Sequence, residues 1–260
     1  MTFLAIFSTI IMAAILGGGS AGLLGFFIVG LRMPFITVFT AHAALAGAVF
    51  GVLLGINSGF SAFIGALLGM FIFGAFLKNK DIDPNAALGS LFSLMMGIAF
   101  LGIGLNKGPK SQVLSLLWGS VLFVTKHQLI VMAILTGLIL GFVVVFRNEL
   151  KVLMFSRELA ALVIPEQLIF NLLLVLSAGI ITINLNIVGG LMLYSLISNP
   201  AVAATRLTHR FYPALALSGF FGVVSALGGF FFAYWLDLPV GACIVLFSSV
   251  IVGISMILSK

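Results

Sequence analysis

Runs of apolar residues the length of a bilayer core dominate this chain and constrain its fold more than any motif. A helix needs about 20 predominantly apolar residues to cross the hydrocarbon. On that ruler the sequence predicts nine spans, at 4–30, 35–56, 60–77, 86–105, 128–146, 167–185, 187–205, 211–235 and 240–258. Only 12 Lys and Arg and 6 Asp and Glu are spread over 260 residues, too little charge to clothe a soluble domain of this size. The predicted fold class is therefore all-α, a polytopic membrane helix bundle of about 8–9 transmembrane helices. Residues 1–260 read as one domain, with no linker and no internal repeat. The first span lacks a basic leader and continues into further apolar sequence, so it reads as a retained helix. It is long enough to be tilted, or interrupted at Gly17-Gly18-Gly19. Residues 111–124 are too short to span and predict a short helix or re-entrant piece.

Charge supplies orientation. With the N-terminus outside, Arg32, Lys78, Lys80, Arg147, Lys151, Arg157, Arg206, Arg210 and Lys260 fall inside, and only Lys107, Lys110 and Lys126 fall outside. That excess of inner cations predicts an outer N-terminus and a cytoplasmic C-terminus. Such scattered cations make no nucleic-acid stripe, despite a pI near 9.8. The single cysteine, Cys243, excludes a disulfide framework and a thiolate cage and reads as a small hydrophobe. No phosphate-binding loop, Ser-His-Asp set or carboxylate pair can be assembled, so any ATP must be hydrolysed by a separate subunit, and no permanently bound cofactor is expected.

Few polar side chains interrupt the spans. An ionisable residue inside a membrane helix is a functional candidate by default. His42 is one, and Thr37 and Thr40 are candidates for a pathway lining near it, although the three do not share one narrow face; the alternative for His42 is a hydrogen bond to a neighbouring helix. Thr182, Asn184, Asn186, Ser198 and Asn199 form a second polar group, as interhelical glue or as the lining of a path for a polar solute between two copies of the chain. Asn199-Pro200 predicts a helix break. Trp118, followed by Gly119-Ser120-Val121-Leu122 and then Lys126 and His127, belongs at an outer interface. The longest charged stretch, 147–162, mixes signs on a predicted amphipathic helix at the inner membrane surface. Asp237 and Pro239 end one helix and precede another, as an exposed turn or as an entry ligand for an ion.

Two segments carry a family resemblance. Gly189-Gly190-Leu191-Met192-Leu193-Tyr194-Ser195-Leu196-Ile197-Ser198-Asn199-Pro200 and, some thirty residues on, Tyr234-Trp235-Leu236-Asp237-Leu238-Pro239-Val240-Gly241 resemble the C-terminal part of the permease subunits of metal-ion ABC importers, the class that passes zinc, manganese or iron. The resemblance covers most of residues 20–250. The family's Gly-Asp-Ala-Leu-Ser-His-Ala motif is similar to the segment ending in His42-Ala43, which implies a transient metal contact at His42. Val38 stands where the motif has its aspartate, so charge compensation for a bare cation is missing. The stretch 118–122 is similar to an extracytoplasmic element that implies a docking rim for a solute-binding protein.

Phe155, Ser156, Arg157, Glu158, Leu159 and Ala160 resemble the family's coupling motif, with Ser156 in place of its aspartate and Pro165 near its glycine. The resemblance implies that 148–165 meets ABC ATPase subunits, which use the ATP. It also implies a second permease copy, delivery by an external binding protein and residence in the inner membrane of a prokaryote. Two alternatives stay open. The cargo is a metal chelate or small organic solute, or the chain is a non-transporting structural membrane subunit.

Overall fold

Local sequence sets where each helix begins and ends. The computed structural model describes residues 3–77, 82–106, 124–190 and 192–259, and within them eleven α-helices and no strand. The expectations at Lys78, Lys80, Lys107, Lys110, Trp118, residues 119–122 and Lys260, and at the side chain of Asn186, lie outside the described residues. The helices are α1 Phe3–Gly30, α2 Phe35–Leu53, α3 Ser58–Phe76, α4 Pro84–Leu105, α5 Lys126–Val145, α6 Arg147–Phe155, α7 Arg157–Val163, α8 Glu166–Val188, α9 Leu193–Leu207, α10 Phe211–Leu236 and α11 Val240–Leu258. Asn57 caps α3 by accepting from Phe60 N–H at 3.0 Å, and Asp83 caps α4 by accepting from Ala86 N–H at 2.9 Å, with Pro84 as the first helical residue. Thr125 and Gln128 form a reciprocal capping box at the start of α5. At the end of α10, Asp237 takes the left-handed conformation, with φ 53° and ψ 46°, and its N–H donates to Ala233.

Eight of these helices are long and apolar enough to cross a membrane: α1 to α5, α8, α10 and α11. The ninth expected span, 187–205, is different. α8 runs on to Val188, the chain turns at Gly189 with φ 87° and ψ 150°, a region open essentially to glycine alone, and α9 returns with only 15 residues. Val188, Gly189 and Gly190 are buried, so this part of the turn sits inside the protein. Irregular backbone at membrane depth is tolerated where protein encloses it. The break predicted at Asn199-Pro200 is absent: Pro200 is inside α9 and buried against neighbouring helices. The missing N–H costs one bond of the ladder, while packing against α1, α10 and α11 holds the helix together.

The triple glycine of α1 does not interrupt it either. Gly18 and Gly22 face Gly222 and Ser218 of α10, where a side chain on Gly18, Gly22 or Gly222 would meet backbone. The two helices run antiparallel. Phe7 stacks edge-on with Phe230 and Tyr234 at one end, and Phe26 does so with Phe211 at the other. Small residues here permit close approach, which in a membrane replaces the hydrophobic drive as the source of attraction. α2 is buried nearly all round, between α3, α4, α8 and α9.

One end of the bundle collects the cations. Arg32, Arg147, Lys151, Arg157, Arg206 and Arg210 all lie at the end where α1 stops and α10 starts, whereas Lys126 begins α5 at the other. Contacts bind this basic end together. Asn85 donates to the carbonyl of Arg32 at 3.2 Å, Met154 of α6 packs over Gly30, and the Lys151 ammonium lies 4.5 Å from the Tyr212 ring centroid.

Candidate functional site

His42 occupies the middle of α2 and is 2 % exposed. Its Nδ1 lies 2.8 Å from the carbonyl oxygen of Val38. A carbonyl has no proton to give, so Nδ1 carries the hydrogen and donates it. In the neutral ring this leaves the lone pair on Nε2, the arrangement by which second-shell carbonyls prepare a histidine to ligate a metal. Nε2 is buried and has no hydrogen-bond partner among the described residues. The ring stands edge-on to Phe92 of α4, with centroids 4.8 Å apart. Thr40 points elsewhere, donating to Ile36 O at 2.6 Å and touching Met70 Sδ of α3 at 3.7 Å. Thr37 is fully buried and its hydroxyl is unpartnered. The three polar residues of α2 are thus dispersed over its surface, and no group of three or more His, Cys, Asp or Glu converges among the described residues.

The second polar group is divided between helices. Asn184 on α8 is fully buried. Its Nδ2 donates to Ile180 O at 2.9 Å, and its Oδ1 is left without a partner among the described residues. It lines a small cavity of ≈ 10 Å³, enclosed by Ala14, Gly18, Val188, Ala226, Phe230 and Ile244 among others, beside the buried α8–α9 turn. Thr182 and Ser198 are also buried, with unpartnered hydroxyls. Asn199 does work of another kind. Its amide donates to Ser248 Oγ at 2.9 Å and Ser249 Oγ at 3.2 Å, tying α9 to α11. Ser248 and Ser249 are acceptors that sequence reasoning did not single out, since two adjacent serines in an apolar helix carry no visible pairing signal.

At the basic end the expected single amphipathic helix is two. Ser156 is extended, with φ −158° and ψ 122°, ends α6 and caps α7 by accepting from Leu159 N–H at 3.3 Å. Sequence periodicity runs smoothly through Ser156, so only its capping chemistry could have marked the break. Ala160 is buried, whereas Glu158 is exposed. Arg157 turns back and donates through Nε to the carboxylate of Glu166, the first residue of α8. What faces outward is apolar: Phe155, Leu159, Leu162 and Val163 are 83, 50, 82 and 75 % exposed. A cluster of large apolar side chains beside charged ones suits a membrane surface or a protein contact.

A family model for the ABC 3 transport family matches residues 3–259, nearly the whole chain. The chain belongs to this family. Among its relatives is the manganese transport system membrane protein MntC of Halalkalibacterium halodurans, 29% identical over 248 residues that cover 95% of this chain and 85% of that protein. A probable iron transport system membrane protein of Haemophilus influenzae is 27% identical, covering 85% and 81%. The fold matches a chain in the structure of PsaBC from Streptococcus pneumoniae in complex with Fab, with a TM-score of 0.84, 25% identity, and 96% and 90% of the two chains covered. A putative metal-chelate type ABC transporter in an inward-facing conformation shares the fold at a TM-score of 0.79 and 16% identity. Membership in this family makes the chain a multi-pass permease of the ABC importer type, a transport subunit.

Proposed function

We propose that this permease forms the pathway for a divalent transition-metal ion of the manganese, iron or zinc class, working with ABC ATPase subunits, an external binding protein and a second permease copy. The observation that carries the reading is His42. A buried imidazole stands at mid-span with Nδ1–H held by Val38 O and the Nε2 lone pair unused, in a family whose relatives bear the names of manganese and iron systems. Imidazole nitrogen suits all three metals. With a single imidazole and no acid beside it, the contact is weak, as a release pathway needs in order to let its cargo go. The cluster of cations at one end supports a cytoplasmic position for that end by the positive-inside bias. The exposed face of Phe155, Leu159, Leu162 and Val163 then becomes the contact for an ATPase subunit.

Val38 at the acidic position of the motif favours one second reading, a permease of the same fold for a metal chelate or small organic solute. The test is transport by the permease reconstituted in liposomes with its ATPase and binding protein. ATP-dependent uptake of Mn²⁺, Fe²⁺ or Zn²⁺ that drops at least tenfold in His42→Ala is the expected result. Uptake of none of these ions, with ATP hydrolysis stimulated by a chelate, would transfer the assignment to the second reading.

A further inference from the structure

The only ion pair among the described residues joins the short helix α7 to the membrane helix α8. Arg157 begins α7 and Glu166 begins α8, with Ile164 and Pro165 between the two helices. The Arg157 guanidinium donates to the Glu166 carboxylate and also lies 3.9 Å from the centroid of the Phe170 ring. Phe170 stands one turn beyond Glu166 on the same face of α8 and is fully buried. The Glu166 side chain is 10% exposed and that of Arg157 is 30% exposed, so the pair is shielded from solvent on the α8 side. The Glu166 N–H donates to Ile164 O at 2.7 Å, which tightens the connection further. A guanidinium held by a carboxylate and stacked on a ring is fixed in both direction and plane, as a lysine at the same site would not be. From that anchor α8 runs unbroken for 23 residues to the buried turn at Gly189, beside the Asn184 cavity.

We propose that Arg157 and Glu166 are positioning residues that clamp α7 to α8 as one rigid body, so that an ATPase closing against α7 displaces α8 and, through it, the buried turn at 189–190. This inference rests on the ATPase docking at α6 and α7 given above. On this view the exposed apolar residues of the loop hold the ATPase, while the Arg157–Glu166–Phe170 group delivers its motion. The two roles fall on different side chains and can be separated.

The experiment uses the full permease–ATPase complex in nanodiscs, with Cys243→Ser as background and spin labels on Met12→Cys of α1 and Leu172→Cys of α8, both at exposed positions. The interlabel distance is measured without nucleotide and after trapping with ATP and vanadate. The expected result is a distance that shifts on trapping in the parent, no longer shifts in Glu166→Gln or Arg157→Lys, and shifts again in the charge-reversed pair Arg157→Glu with Glu166→Arg. The ATPase should co-purify in the same ratio throughout. A parent distance indifferent to nucleotide overturns the clamp, as does an undiminished shift in Glu166→Gln or loss of the ATPase from that variant. The docking reading has its own control: Phe155→Ser with Leu162→Ser should lose the ATPase at least tenfold in co-purification, and retention there overturns docking whatever the labels report.

Discussion

Gly22→Ala should push apart two closely packed helices, α1 and α10. A methyl group at position 22 would press on the carbonyl oxygen of Ser218, lie 2.9 Å from its carbon and come within 3.1 Å of Gly219 Cα. All three are backbone atoms, so no rotamer change relieves the clash and α1 and α10 must part. Restoring ordinary carbon contact at about 3.5–4.0 Å needs roughly 1 Å of separation, enough to forfeit about a quarter to a half of each dispersion contact nearby. Overpacking of this kind costs about 1–3 kcal/mol. The 2.6 Å bond from Ser218 Oγ to Gly22 O would lengthen as well, and an interhelical bond of that type contributes roughly 0.6 kcal/mol. Together these give about 2–4 kcal/mol, or roughly 4–16 °C in Tm for a chain of this size. The assay is thermal unfolding of the purified permease in detergent. Gly253→Ala serves as the control, because its added methyl meets nothing within 4 Å. A Gly22→Ala protein melting with the control would refute the argument that glycine spacing sets the α1–α10 distance.

Three further outcomes follow from single contacts. Asp237→Gly should stabilise by about 0.5–1 kcal/mol by removing left-handed strain at an exposed helix end, and a fall in Tm would show that the carboxylate has a role there. Asn199→Leu removes both bonds to Ser248 and Ser249 and should cost about 1 kcal/mol; an unchanged melting curve would mean that α9 and α11 are held by packing alone. Val38→Asp should strengthen Mn²⁺ binding measured by calorimetry, since an acid would then stand one turn before His42, and that gain should vanish on adding His42→Ala. Binding that survives the double change would place the ligands elsewhere.

Much of this architecture was legible in the sequence because its solvent is apolar. Of the nine spans predicted from length and hydropathy, eight are helices long and apolar enough to cross a membrane, and six of the predicted inner cations gather at one end of the bundle. The turn at Asp237 was readable because Pro239 and an αL-tolerant residue leave few alternatives. His42 was marked by the cost of an imidazole in hydrocarbon, and its burial follows from that cost. Sequence reasoning failed where tertiary packing overrides local preference. Pro200 remains helical because α1, α10 and α11 enclose it. Gly18 and Gly19 of the triple glycine serve contact with α10, and nothing in the spacing of the three tells a seam from a kink. The path by which Arg157 reaches Glu166 depends on the break at Ser156, a cap whose local signal is outweighed by the apolar rhythm around it.

The buried α8–α9 turn has a consequence for biogenesis. α9, LYSLISNPAVAATRL, is short, carries an arginine and an internal proline, and contains too little apolar length to partition into lipid by itself. Its neighbours on two sides, α10 and α11, are synthesised after it. Two of the three helices that enclose it thus become available only after it has been made, so α9 should seat fully only once residues 211–258 have followed. A stop codon placed just after residue 207 should leave α9 unprotected and the truncated chain open to membrane proteases, although every long apolar span up to α8 is already in place.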